Sequence, residues 1–292
     1  MRQARRLARS LAFVMIRLAA LPYLVREIGQ SKRATIVVYH DIDPVTADRH
    51  FTVLKALYNI IPLRDYIKSR QAGTIDNLPP KAMIITMDDG HKANYALQGI
   101  IKKHGIPITI GLCSGIVGTA RHFWFRHVPD GNDVQHLKTL ENGERLAILA
   151  RSGFNEMHEY DCRDALADHE IEEMRAIVDF QSHTILHPIL PRCSDERAME
   201  EICVSKKQLE EKYALDIYAL CYPNGDYTER EIAIAKMAGY ECGLTLDEGF
   251  NSRHTDLYRL KRTCIPDDAG ISELIVKASG LWGFLRMAWR TW

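Results

Sequence analysis

Residues 82–90 read AMIITMDDG, and this stretch decides the fold class. Six residues of mostly apolar character come first, and two aspartates and a glycine follow at once. Such a run predicts a buried strand with Asp88 and Asp89 at its carboxyl end. Similar runs recur along the chain with helix-like stretches between them, which predicts parallel βαβ units. The other runs are ATIVVY (34–39), PITIGL (107–112), AIVDFQ (176–181), IYALCY (217–222) and ECGLTL (241–246).

The domain organisation follows from length and composition. A chain of 292 residues fits one α/β barrel domain with short extensions. With 46% hydrophobic and 26% charged residues, it has the composition of an ordinary globular protein rather than of a disordered or polytopic membrane chain. We predict a barrel over residues 33–270, a basic amphipathic helix over 1–32 and an amphipathic Trp/Arg-rich tail over 271–292. Residues 131–175 are predicted to form a surface insertion.

The formal net charge of zero hides an uneven distribution. Residues 1–33 carry eight Arg and Lys against the single acid Glu27, a charge of +7, so the remaining chain carries −7. An acidic body argues against nucleic-acid binding, whereas a basic head favours an anionic lipid surface. The seven cysteines include no CxxC pair and indicate reduced thiols. These features predict a cytoplasmic protein that binds peripherally to the cytoplasmic face of the inner membrane.

Both ends of the chain have the composition of membrane-surface segments. Residues 11–25 are too short for a spanning helix, and Arg17 at their centre would cost ~2.5–3.5 kcal/mol in a bilayer. On a helical wheel an arc of arginines lies opposite Leu7, Leu11, Met15 and Leu18, as in a helix that lies in the membrane interface. That arc consists of Arg2, Arg5, Arg6, Arg9 and Arg17, and the tail holds Trp282, Trp289 and Trp292 beside Arg286 and Arg290. The alternative is that both ends pack on the body or on another subunit.

Polar side chains stand at the carboxyl ends of the predicted strands, which share one mouth in a parallel barrel. Two adjacent carboxylates, Asp88 and Asp89, repel each other unless a cation or a proton intervenes. His183 and His187 are four residues apart, and we expect them to face one point from a single helical turn. One carboxylate and two imidazoles form a three-ligand set that leaves positions open, which predicts a catalytic divalent metal. The alternatives are an ordinary Asp-Gly turn and a pair of structural histidines.

Four motifs in this order resemble the polysaccharide deacetylase (NodB-homology) family, in the branch that opens with a YH motif. They are VVYHDIDP (37–44), TMDDG (86–90), SHTILHP (182–188) and YPNGDYTE (222–229). The resemblance covers roughly residues 34–265 and implies a distorted (β/α) barrel. It also implies a bound divalent cation, usually Zn²⁺, and hydrolysis of an acyl group, commonly N-acetyl, on a sugar.

The resemblance implies a role for each motif residue. Asp89, His183 and His187 would bind the metal, and Asp88 would be the general base. The motif-three arginine and the C-terminal histidine of the best-known pattern are absent, so we assign the general acid to His40 and the orientation of Asp88 to Arg262. The predicted substrate contacts are Trp124, Tyr222, Pro223 and Asn224. His91, directly after Gly90, is expected to be a rim residue rather than a fourth ligand.

The expected substrate is an N-acylated sugar in a glycan or a lipid-linked glycan precursor. Two alternatives stay open from the residues alone. One is a deformylase or an O-deacetylase acting on a related sugar, because the motifs describe the hydrolytic centre and not the acyl pocket. The other is a non-catalytic glycan- or membrane-associated barrel, although it would have little reason to keep the four residues of the predicted metal centre.

Overall fold

The computed structural model describes residues 2–290, with side chains for residues 8–286. Its strands are all paired in parallel. They are β1 (Thr35–Tyr39), β2 (Asn59–Ile60), β3 (Ala82–Met87), β4 (Ile108–Leu112), β5 (Val178–Ser182), β6 (Ala219–Cys221), β7 (Cys242–Leu244) and β8 (Thr263–Cys264). Each predicted strand run contains one of them, because the apolar side chains of these runs are buried in the core.

Helices surround this sheet and extend it at both ends. The α-helices are α1 (Arg2–Leu18), α2 (Leu21–Leu24), α3 (Pro44–Leu57), α4 (Leu63–Gln71), α5 (Gln98–His104), α6 (Val134–Thr139), α7 (Asn142–Ala150), α8 (Asp168–Met174), α9 (Asp195–Tyr213), α10 (Glu229–Met237), α11 (Ile271–Ala278) and α12 (Leu281–Arg290). A π-helical turn, Val25–Gly29, follows α2.

The sheet curls until its two edges meet. Its order is β7-β6-β5-β4-β3-β1-β8, and β2 pairs beside this path with the start of β3. The segment before β8 closes the gap, since Leu260 N–H donates to Gly243 O at 2.9 Å and Thr245 N–H donates to Leu260 O at 2.8 Å. Directly afterwards β8 pairs with β1. The predicted fold class, an α/β distorted barrel with helical extensions, is confirmed.

A long insertion lies between β4 and α8. It begins earlier than predicted and builds its own apolar cluster around Trp124, Leu137, Leu149 and Phe154. The insertion is also more than a surface feature, because Lys138 Nζ donates to Asn224 Oδ1 at 2.6 Å at the carboxyl end of β6. The charged helices of this region gave no sign of that contact.

The described parts of the two ends pack against each other and the barrel. Phe13 in α1 is buried against Val276 and Leu281, and its ring centroid lies 5.0 Å from that of Trp282. Trp282 is therefore engaged in protein packing rather than free for a membrane. Several residues of the terminal predictions have no described side chain: Arg2, Arg5, Arg6, Leu7, Trp289, Arg290 and Trp292.

Candidate active site

The aspartate pair occupies a sharp turn at the end of β3. Asp88 N–H still continues the strand ladder, donating to Tyr39 O at 3.1 Å. Asp89 and Gly90 then both adopt left-handed conformations, with φ of 73° and 69°. A Cβ on Gly90 would lie 2.6 Å from Leu112 Cδ2, so glycine is required both by conformation and by space. Both carboxylates are buried, and the turn gives each of them different neighbours.

Asp88 forms a buried pair with Arg262. The guanidinium is bidentate, with Nη1 at 2.7 Å from Oδ1 and Nη2 at 2.8 Å from Oδ2. Burial alone would raise the pKa of Asp88, but Arg262 and, more weakly, His183 outweigh it and hold this pKa at about 2. Asp88 is therefore ionised and fixed in orientation at neutral pH.

Asp89 lies opposite the two predicted histidine ligands. Its Oδ1 is 3.4 Å from His183 Nε2 and 3.3 Å from His187 Nε2. Its Oδ2 is 2.9 Å from Nε2 of His91, which is buried and does not lie at the rim as its position in the sequence suggested. Burial alone would raise the pKa of Asp89, but His187 and His183 outweigh it and keep this pKa well below its ordinary value.

The histidines are presented by an irregular loop and not by the helical turn that we expected. Thr184 and His187 have φ of 69° and 57°, which breaks any helix between them. Glu201, buried in α9, holds this loop by accepting hydrogen bonds from the N–H groups of Ile185 at 2.7 Å and Leu186 at 3.0 Å. The spacing of the histidines was thus informative, but the reason given for it was wrong.

A hydrogen bond to the backbone orients the ring of His183. Its Nδ1 donates to the backbone oxygen of Cys221 at 2.7 Å, which leaves Nε2 as the nitrogen directed at Asp89. Burial lowers the pKa of His187 to about 3, which keeps this imidazole neutral. Burial alone would lower the pKa of His183, but Asp88 and Asp89 outweigh it and raise this pKa, so a cation that binds here displaces a proton from this ring.

The chemistry of this donor set fits a divalent cation. Asp89, His183 and His187 offer one ligand atom each, and these atoms lie within 4.8 Å of one another. The Oδ1 atom of Asp89 is buried and lacks a hydrogen-bond partner among the described residues, although two imidazole nitrogens face it. A cation between the three groups would satisfy all of them.

Aromatic rings from the insertion form one wall of the site. The ring of Phe125 is 5.2 Å from that of His187 and 5.1 Å from that of Phe123. Phe125 is only partly buried, whereas Phe123 is fully buried. Phe125 is therefore the aromatic side chain of this wall that a ligand can reach.

The predicted substrate contacts differ in accessibility. Trp124 is 2% exposed, its Nε1 donates to His187 O at 2.9 Å, and Arg145 covers its ring, so it supports the metal loop instead of offering a face to a sugar. Tyr222 and Pro223 are buried as well. Asn224 remains partly exposed and has φ of 58°.

The structure brings the predicted catalytic residues together. His40 follows β1 and is partly exposed, and it is close enough to Asp88 to lower the pKa of that carboxyl. Its backbone is fixed from both sides, by Asp267 Oδ1 at 3.1 Å from its N–H and by Asn94 Nδ2 at 2.9 Å from its carbonyl oxygen.

Two residues of this region, Glu201 and Lys138, were not found from the sequence, and His91 was expected at the rim. Glu201 and Lys138 lie in helices whose charged residues resemble an ordinary solvated face. His91 adjoins the DDG motif, and that adjacency was the one available signal.

Comparisons with known proteins identify the family and the fold of the chain. A sequence model of the family described as polysaccharide deacetylase matches residues 76–243. The chain is 24% identical over 183 residues to YxkH of Bacillus subtilis, which carries the name of a polysaccharide deacetylase, covering 62% of this chain and 50% of that protein. It is 24% identical over 218 residues to the poly-beta-1,6-N-acetyl-D-glucosamine N-deacetylase of Staphylococcus epidermidis, covering 72% of this chain and 62% of that protein. The chain thus spans between half and two thirds of the length of these relatives.

A solved structure supports the fold. The deacetylase PplD of Streptococcus pyogenes, determined in complex with acetate, superimposes with a TM-score of 0.61 at 20% identity, over 84% of this chain and 98% of that one.

Glu201 gives a test of how the histidine loop is held. Glu201→Gln removes the charge that faces Arg197 and weakens the two backbone contacts, so we expect a loss of ~1–3 kcal/mol in the free energy of unfolding, measured in urea. The matched control is the exposed neighbour Glu200, whose change to Gln should alter stability by less than ~0.5 kcal/mol. Equal stability of the two variants would contradict the positioning role.

Proposed function

The chain belongs to the polysaccharide deacetylase family, and from this premise we propose that it removes N-acetyl groups from a glycan with the help of one divalent cation, by preference Zn²⁺. The observation that carries the proposal is the buried convergence of Asp89, His183 and His187 beside an ionised Asp88. Such a three-ligand set leaves coordination positions open, as hydrolytic sites require.

The two aspartates divide the work of the site. A bound cation would polarise the acyl carbonyl and lower the pKa of a water molecule. Asp88 accepts the proton of the attacking water, and the two hydrogen bonds from Arg262 hold its carboxylate in place for that transfer. Asp89 cannot share this role, because its oxygens face three imidazoles.

The leaving amine needs a proton, and we propose that His40 supplies it. His40 follows β1, interacts with Asp88, and is exposed enough to exchange protons with water. The half-buried Phe125 supplies a face for stacking on a sugar ring, and Lys138 and Asn224 line the mouth with polar groups.

The substrate proposal draws on the relatives. The name of the staphylococcal relative specifies a polymer of N-acetylglucosamine, and we propose an N-acetylated hexosamine glycan, free or lipid-linked, for this chain. Acetate release from N-acetylated and O-acetylated oligosaccharides, followed by mass spectrometry and abolished by a chelator, would identify the substrate. Release from O-acetyl or N-formyl sugars alone would replace the proposal by the corresponding esterase or deformylase.

The first prediction of this proposal concerns metal binding itself. Chelator-treated protein should bind one Zn²⁺ or Co²⁺ per chain in a calorimetric titration, and His187→Ala should weaken binding by at least ~100-fold, because only two protein ligands remain. The exposed His136 provides the control, and its change to Ala should leave the titration unchanged. Wild-type protein that takes up no divalent ion would refute the site.

A second prediction separates the base from the ligands. Asp88→Asn should keep the bound metal but lower kcat by ~10²–10⁴-fold, because an amide cannot accept the proton of water. Arg262 would then face a neutral group, which can lower stability. The melting temperature of the variant should therefore be measured together with kcat. Arg262→Lys, which keeps the charge but loses the bidentate contact, should give a smaller loss. A near-full rate for Asp88→Asn would mean that the base lies elsewhere.

A third prediction tests the acid. His40→Ala should slow the hydrolysis of N-acetyl amides while sparing activated acetyl esters, whose leaving group needs no proton. The comparison uses the same metal-loaded protein with both substrates. Equal losses on the two would show that His40 orients the site and does not protonate the leaving group.

A further inference from the structure

The N-terminal helices carry a cluster of exposed apolar side chains. Of the 13 exposed large hydrophobic side chains in the described residues, eight lie between residues 11 and 28. Three of them, Met15, Leu18 and Ile28, are 68%, 73% and 76% exposed. Soluble surfaces scatter such side chains singly, so a contiguous group marks a binding surface. We call this surface the N-terminal apolar band, formed by Leu11, Met15, Leu18, Leu21, Leu24 and Ile28.

The apolar face of a soluble amphipathic helix normally packs on the body, but most of the apolar face of α1 does not. Arg9 pairs with Glu273, and Arg17 Nη1 lies 3.5 Å from Ser272 Oγ. Phe13, one turn from each arginine, is buried between them. The edge of α1 that carries Arg9, Phe13 and Arg17 thus contacts the barrel, and at 100° per residue the apolar edge of Leu11, Met15 and Leu18 points away from it. Packing on the body leaves this apolar edge unpartnered.

Basic residues continue the surface beyond Ile28. Lys32, Arg33 and Arg253 line a cleft of about 660 Å³ that Ile28 also borders, and Asp76 is the one acidic residue among the described residues lining it. Residues 1–33 carry a net charge of +7 in the sequence, eight bases less Glu27. A second copy of this chain would bring the same positive charge against it, whereas an anionic lipid surface complements it.

We propose that the N-terminal apolar band lies in the interfacial plane of an anionic membrane, with Lys32 and Arg33 at the level of the headgroups. The band supplies apolar burial, and the basic residues supply attraction to the lipid charge. The earlier prediction that this membrane is the cytoplasmic leaflet stays a prediction.

The way in which the segment Leu21–Gly29 is attached to the barrel favours helices that lie in the plane of the membrane surface. No single described helix has the length and apolar content to cross a bilayer. The segments Ala8–Leu18 and Leu21–Gly29 have this length and apolar content only when they are taken together, and a bend of 59° separates them. Directly after this pair, Gln30 Nε2 donates to Thr35 Oγ1 at 2.6 Å and to Ala278 O at 2.8 Å. Because these buried contacts tie its end to the barrel, the pair cannot straighten freely.

Vesicle flotation of the purified full chain tests the proposal. Wild-type protein should float with phosphatidylcholine vesicles that contain phosphatidylglycerol and bind much more weakly to phosphatidylcholine alone. The double variant Met15→Glu/Leu18→Glu should weaken binding by at least ~10-fold, because two apolar side chains no longer enter the lipid. Lys32→Gln/Arg33→Gln should weaken binding to the anionic vesicles by roughly fivefold per residue and reduce its salt dependence.

The matched control is Met199→Glu/Met237→Glu, which changes two exposed hydrophobic side chains on α9 and α10 and should alter binding less than ~2-fold. Thermal melts and activity on a soluble substrate should be unchanged in all three double variants, since none of these residues lies in the candidate site. Equal loss in band and control variants, or no wild-type flotation with the anionic vesicles, would overturn the proposal.

Two further outcomes would replace the proposed occupant. A sedimenting dimer that Met15→Glu/Leu18→Glu dissociates, without vesicle binding, would identify a second copy of the chain. Resistance of the membrane-bound protein to alkaline carbonate would identify a spanning anchor.

Discussion

Two adjacent buried carboxylates are the constraint on which the site depends. Like charges on neighbouring residues cannot both be buried unless each has its own compensation. Asp88 has the guanidinium of Arg262, which arrives from the segment that closes the barrel, and Asp89 has the imidazoles of the loop after β5. The left-handed turn at Asp89 and Gly90 makes this division possible, because it directs consecutive side chains to different partners. Barrel closure and site assembly are therefore coupled, because in an open sheet Asp88 would be buried without the guanidinium of Arg262.

The loop that carries His183 and His187 has no regular secondary structure, and side chains from other segments fix its backbone instead. Glu201 is buried and receives two backbone N–H groups of the loop, while Arg197 neutralises its charge. Burial of Glu201 raises its pKa, and Arg197 only partly offsets that effect, so the two groups depend on each other. On the other side of the loop, Trp124 donates to the carbonyl oxygen of His187. Trp124 of the insertion and Glu201 of α9 thus both hold the backbone of the loop at residues 183–187.

The strands and the catalytic motifs could be predicted because both depend on local sequence. Buried parallel strands consist of short apolar runs, and polar groups at their carboxyl ends converge whatever the detailed loop geometry. Contacts between distant segments could not be predicted. The left-handed conformations of Thr184 and His187 leave no periodic signal, and Trp124 was expected to face a sugar because nothing local reveals that Arg145 covers it. On α1 the helical wheel predicted the exposed apolar edge of Leu11, Met15 and Leu18, but nothing in it indicated that Phe13, on the arginine side, is the contact with the body.

The candidate site and the basic cleft lie at opposite ends of β1 and β3. Ala34 and Ala82, at the amino ends of β1 and β3, border the basic cleft, whereas Asp88 follows the carboxyl end of β3. Six residues of extended chain at ~3.3 Å each place the carboxylates ~20 Å from the cleft. The proposed membrane contact at the cleft would therefore stand ~20 Å from the carboxylates, a distance that a glycan chain can span. A sugar attached directly to a lipid headgroup would have to bridge that distance, so membrane binding of this kind favours a longer glycan over a single lipid-linked sugar.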